Sequence, residues 1–102
     1  MTLLSEFRSA QTTLVALGDP SRQAIISAML EHGCESGLRV GDLTQAVNLS
    51  RPAVSHHLKI LRDAQLVRME KVGTKHFYYP SVFTQLDAMQ HLLDALKEAQ
   101  HA

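Results

Sequence analysis

The chain has a single cysteine, Cys34, in 102 residues. One thiol excludes an intrachain disulfide framework and any oxidant sensing through two cysteines of the same chain, and it fits a reducing, cytoplasmic setting. No apolar run approaches the roughly 20 residues of a membrane span, so no membrane partner is expected. The opening Met1-Thr-Leu-Leu-Ser-Glu lacks a basic segment and a long apolar stretch, and a secretory leader is not expected. Glycine is sparse, with five residues scattered at turn positions, which leaves no phosphate-cradling loop. His32 and Cys34 could be paired as base and nucleophile, but no orienting third group or oxyanion site accompanies them. The expectation is a protein that is not an enzyme and carries no cofactor.

Net charge is also absent, with 10 Lys and Arg against 10 Asp and Glu. The zero hides a division. Residues 39–80 hold seven cations, Arg39, Arg51, Lys59, Arg62, Arg68, Lys71 and Lys75, against Asp42, Asp63 and Glu70, a net +4. The remainder carries −4. A basic middle between acidic ends points to a centre that faces a polyanion and to ends with another task. The plainer account is chance segregation of few charges, so the pattern gains meaning only from what surrounds it.

The hydrophobic share of 45% is ordinary for a globular chain and leads us to expect one domain over residues 1–102. A core of this size is modest, and oligomerisation would add to it. Leu3, Leu4, Phe7, Ala10, Leu14 and Leu17 recur at helical spacing over 3–17. Gly18-Asp19-Pro20 stops that helix and caps the next, whose apolar face is Ile25, Ile26, Met29 and Leu30 and whose end is Gly33. A loop follows, then a short helix at 40–47 with Leu43 and Val47 inward. Asn48 suits a tight turn and Ser50 caps a further helix with Pro52 in its first turn. There Val54, Leu58 and Leu61 form an apolar stripe, while Arg51, Ser55, His56, Lys59 and Arg62 fall largely on the other side. From Leu66 the period shifts. Segments 66–72 and 76–79 flank Gly73-Thr74-Lys75 and read as a β-hairpin. Pro80 closes it, Ser81 caps a last helix, and Val82, Leu86, Met89, Leu93 and Leu96 step by four and three like a coiled-coil seam, widened by Phe83 and Leu92.

Two helices joined by a three-residue turn, the second apolar on one side and basic on the other, make a helix-turn-helix over 40–62. Such a helix must pack by one stripe while its opposite side enters a major groove, which demands donors and cations there. In isolation an amphipathic surface helix is the commoner explanation. The basic hairpin that follows at 66–79, with Arg68, Lys71 and Lys75, changes the balance, because it is placed to act as a wing along a phosphate backbone.

These residues resemble the ArsR/SmtB-type winged-helix transcriptional repressors. The resemblance is carried by Ala16-Leu-Gly-Asp-Pro-Ser-Arg22, Val40-Gly-Asp-Leu43, Leu49-Ser-Arg-Pro-Ala-Val-Ser-His-His-Leu-Lys-Ile-Leu61, Leu66-Val67 and Val72-Gly-Thr-Lys-His-Phe-Tyr-Tyr79. It implies a mainly helical winged helix-turn-helix fold in the order α-α-α-α-β-β-α, a homodimer, and repression through double-stranded operator DNA. It implies Arg51, Pro52, Ser55 and His56 as base-reading positions. It also places the dimer interface on the terminal segments 1–17 and 81–102, in agreement with the seam read above through Leu3, Leu4, Phe7, Val82, Leu86, Met89, Leu93 and Leu96. One small departure is Asn48, where the family often has glycine.

Many such repressors release DNA on binding metal. The family's Cys-x-Cys before the helix-turn-helix corresponds here to Arg39 and Gly41, which cannot hold a thiophilic ion. Its second pattern places Asp-x-His on the last helix, paired across the dimer with a His-x-x-Glu/His about ten residues on. Asp87 matches, but Met89 and Gln100 stand at the histidine positions. A rearranged set of Asp87, His91 and His101 is the remaining metal candidate, the plainer reading being that His91 and His101 face solvent. His57 reads as a packed, hydrogen-bonded histidine and His76 as a surface group near the wing. The expectation is therefore a repressor without the usual metal sites. The alternatives are a metal- or thiol-responsive sensor using an unrecognised site, and a winged-helix module that scaffolds other proteins.

Overall fold

The computed structural model describes residues 2–101. Helices α1 (Leu3–Leu17), α2 (Pro20–His32), α3 (Val40–Val47) and α4 (Arg51–Asp63) precede strands β1 (Val67–Val72) and β2 (Lys75–Pro80). A 3-10 turn (Val82–Gln85) then leads into α5 (Leu86–Gln100). The helix starts are set by local chemistry. The Thr2 hydroxyl accepts from the Ser5 N–H at 3.1 Å, the Asp19 carboxylate from that of Arg22 at 3.0 Å, and the Ser50 hydroxyl from that of Ala53 at 3.3 Å. Pro20 and Pro52 sit where a missing N–H costs no helical bond. The Arg22 backbone N–H is the main cause that holds the Asp19 pKa below its ordinary value, and the Arg22 charge adds to it.

Ile25, Met29, Leu43, Val54, Leu58, Leu61 and Leu66 are fully buried, so the core sits where α2, α3, α4 and the base of the hairpin meet. Leu30, expected on the inner face of α2, is instead exposed. It lines a shallow surface groove with Leu17 and Ile26, one helical position beyond the buried stripe.

The hairpin turn is one residue tighter than expected. Val72 pairs with Lys75, so only Gly73 and Thr74 lie in the turn, with Gly73 at φ 63°. The left-handed conformation at the first turn position is what a two-residue hairpin demands and glycine supplies without strain. Leu38 adds a one-residue third edge, exchanging backbone hydrogen bonds with Tyr78 at 2.9 and 2.8 Å. Beside it, a Cβ on Gly37 would stand 2.7 Å from the Tyr79 ring and 2.9 Å from the Phe77 Cβ. Gly37→Ala therefore forces the hairpin away from this loop. A loss of about 1–3 kcal/mol, the usual scale of overpacking, is expected. Urea unfolding checks it, and a midpoint unchanged from the parent chain would contradict it.

The start of the last helix also departs from expectation. Ser81 gives no side-chain cap to a helix, and Val82 lies in the 3-10 turn, packed on the main core rather than in an outward seam. The Ser81 and Thr84 hydroxyls instead donate to the Gln65 carbonyl at 3.2 and 3.3 Å. Gln65 adopts φ 61° as the chain leaves α4.

Helices α1 and α5 pack on each other away from that core, burying Ala10, Thr13 and Leu92. Leu92 thus belongs to the intrachain contact and does not widen an outer seam. The molecule measures 53 × 24 × 21 Å, with a radius of gyration of 15.5 Å against about 13 Å for a compact chain of 100 residues. Its accessible surface is 6594 Å², whereas a compact monomer of this mass exposes about 5,700 Å². The terminal helices form an arm, not a second layer on the core.

Candidate nucleic-acid interface

Helix α4 is divided as the sequence pattern demands. Val54, Leu58 and Leu61 are buried, and Arg51, Pro52, Ser55, His56, Lys59 and Arg62 are all exposed. Residues 51, 55, 59 and 62 recur at helical spacing, with Pro52 and His56 in the adjacent row. They form one polar ridge on a helix about 20 Å long. Asn48 at φ 55° and ψ 47° makes the bend that sets α4 across α3. His57 points the other way. It is half-buried, and its Nδ1 lies 3.3 Å from Nη1 of Arg22.

Not all cations on this side are equally free. Lys59 lies 3.3 Å from Asp63, but both side chains are largely in solvent, so the pair is weak and easily exchanged. Arg68 is held more firmly. It pairs with Glu70, and its guanidinium lies over the Tyr79 ring at 4.1 Å. The strand register pairs Lys71 with His76 and Val72 with Lys75. Successive pairs face opposite sides of a hairpin, so Lys71 and Lys75 project to opposite faces of the wing tip.

In the sequence Arg39 stands out as a charge and as the counterpart of a family cysteine, but the structure gives it a place in this surface. It precedes α3, its backbone N–H donates to the Asp42 carboxylate at 2.9 Å, and its guanidinium lies 6.0 Å from the Phe77 ring centroid. With Gly41, Asp42 and Arg51 it lines a hollow of about 220 Å³. The signal is present in the sequence as an arginine just before the first helix of a helix-turn-helix. Nothing local distinguishes it from a solvated charge.

Within one chain the metal candidates are not brought together, whereas the family pattern joins such residues across a dimer. Asp87 lies in the first turn of α5 and His101 caps its far end, roughly 20 Å along the axis. His91 instead borders a shallow groove with Glu6, Asp94 and Glu98. Among the described residues, no group of three or more His, Cys, Asp or Glu is arranged to hold a metal ion. Cys34 is exposed, and the neighbouring His32 bonds Ser36 at 3.2 Å. No described helix is long and apolar enough to cross a membrane.

A helix-turn-helix followed directly by a β-hairpin, with a polar ridge on its second helix, defines a winged-helix protein. The sequence comparison narrows this class. Residues 19–69 match the model of the bacterial regulatory proteins of the arsR family. The HTH-type transcriptional regulator Rv2034 of Mycobacterium tuberculosis is 43% identical over 74% of this chain and 66% of its own length. A transcriptional repressor SmtB homolog of Synechocystis is 36% identical over 82% of this chain and 61% of its own. This chain thus spans just under two thirds of each of these relatives. An ArsR-like transcriptional regulator from Rhodococcus superposes with a TM-score of 0.81 at 22% identity, covering 99% of this chain and 87% of that one. The chain belongs to the ArsR family, whose members are DNA-binding transcription regulators and not enzymes.

Proposed function

We propose that this chain is a transcriptional repressor that grips double-stranded operator DNA as a homodimer and lacks the usual metal sites, so that metal does not release it. The division of α4 carries the reading: three core side chains anchor it, and five exposed polar or basic side chains, with Pro52 among them, form its outer ridge. In this reading Arg51, Pro52, Ser55 and His56 meet base edges near the start of the helix. Lys59, Arg62, Arg68, Lys71 and Lys75 meet phosphates, and Arg39 joins them beside Arg51. The arm supplies the dimer contact through Leu3, Leu4, Phe7, Leu86, Met89, Leu93 and Leu96. Its outward leucines and Phe7 are exposed in the single chain, and the excess surface of about 900 Å² matches one partner's share of a standard interface.

Selection of bound duplexes from a random pool tests this. The expected motif is two-fold symmetric, with half-site centres about 10 base pairs apart. Affinity should fall steeply with salt as counterions are released, and stoichiometric zinc should leave binding unchanged. Failure to enrich any duplex at low salt would favour a protein-scaffolding module instead. Release of DNA by zinc would overturn the absence of a metal response, with Asp87, His91 and His101 the first residues to replace.

A further inference from the structure

We propose that Arg22 is a positioning residue that fixes the angle of the recognition helix relative to the arm. The proposal rests on the reading above, in which the arm joins two chains and α4 enters the groove. Arg22 stands in the first turn of α2, between these two elements. Its Nε donates to the Ala16 carbonyl at 2.7 Å and its Nη2 to the Val15 carbonyl at 3.1 Å. These are carbonyls of the last turn of α1, which lack helical partners and carry the negative end of the helix dipole. The third donor, Nη1, lies 3.3 Å from Nδ1 of His57 in α4. An arginine has no acceptor, so Nη1 donates and Nδ1 accepts. The base of the side chain is itself fixed, because the Arg22 backbone N–H is held by the Asp19 carboxylate.

Capping of α1 alone does not require this arrangement. Val15 O already accepts from the Gly18 N–H at 3.3 Å, and the Gln23 amide covers the Leu17 carbonyl at 2.8 Å. The bond to His57 is the part that capping leaves unexplained. His57 is flanked by His56 on the polar ridge and Leu58 in the core, so it lies on the flank of α4. Apolar contacts at Val54, Leu58 and Leu61 keep α4 on the core but are non-directional. A planar guanidinium bonded to α1 and α4 at once supplies a direction. In a dimer held by α1 and α5, that direction sets the separation and tilt of the two recognition helices.

The test compares Arg22→Ala, His57→Ala, the double variant and His57→Gln, using the selected operator and copies with one base pair inserted or removed between the half-sites. The parent dimer should show one preferred spacing. In both alanine variants, affinity for that spacing should fall about tenfold, the scale of one charge-assisted hydrogen bond, while the penalty for altered spacing shrinks. Light scattering should still report dimers. The double variant should match Arg22→Ala, because the bond to His57 is already lost in that variant. His57→Gln retains a side-chain acceptor and should recover the sharper spacing preference. Should Arg22→Ala fail to fold, His57→Ala decides the matter, since His57 caps no helix. The proposal is overturned if the alanine variants keep the parent's spacing preference, or if their losses add in the double variant. A parent chain without any duplex affinity would instead overturn the reading beneath it, and this inference with it.

Discussion

Replacing both Leu86 and Leu93 with Glu is expected to give a folded monomer that has lost most of its operator affinity. The two residues are one heptad apart on α5 and stand 49% and 47% exposed, whereas Leu92 between them is 2% exposed against α1. The outward pair can therefore be charged without opening the packing inside the chain. Four carboxylates per dimer would then meet in an apolar seam, where a desolvated, unpaired charge is costly. A linked second half-site raises affinity by about 10²–10⁴ over one site alone, so a loss on that scale is expected from the doubly substituted chain. Light scattering and operator titration on the same samples check both halves. A stable monomer for the unsubstituted chain at micromolar concentration, or a dimeric double variant, would defeat the arm as interface.

The positions that were legible in the sequence share one property: their conformation is fixed by near neighbours. Asp19-Pro20 and Ser50-x-Pro52 each impose a cap through a bond spanning three residues, Asn48 makes a turn through its own left-handed backbone, and the helix limits around them follow. The stripe at Val54, Leu58 and Leu61 is legible for the same reason, since one helical period suffices to define it. The misplacements involve relations between elements. Val82 and Leu92 fit a four-three repeat, but one packs on the winged-helix core and the other on α1, which the repeat alone does not reveal. Leu30 lies one row off the buried face of α2, a difference that depends on what packs beside it. The hairpin register decides that Lys75 belongs to the strand and that Lys71 faces away from it. Arg39 and Arg22 became informative only when folding brought Phe77, Arg51 and His57 beside them.

Arg51→Ala and Lys75→Ala should damage DNA binding in different ways. Arg51 is the first residue of α4, at the end that reaches base edges in a helix-turn-helix. An arginine can bond a guanine through two donors, and one such pairing discriminates by about 1–3 kcal/mol. Its loss should flatten the preference at one base position in each half-site, with a smaller change for random duplex. Lys75 closes the Gly73-Thr74 turn at the wing tip, far from the polar ridge along the chain. In the proposed reading a cation there meets phosphates, which carry no sequence information. Lys75→Ala should therefore weaken operator and random duplex alike. Each phosphate left without its cation lowers the salt slope by about 0.9, so the slope for a dimer should fall by about 1.8. Lys71 projects to the opposite face of the hairpin and cannot take over the same phosphate. Competition binding over a salt series, operator against random duplex, separates the outcomes. If Arg51→Ala lowers both affinities equally and reduces the salt slope, Arg51 joins Arg39 on the phosphate backbone and base reading falls to Ser55 and His56. If Lys75→Ala changes sequence preference, the wing reads bases and the division of labour between helix and hairpin is wrong.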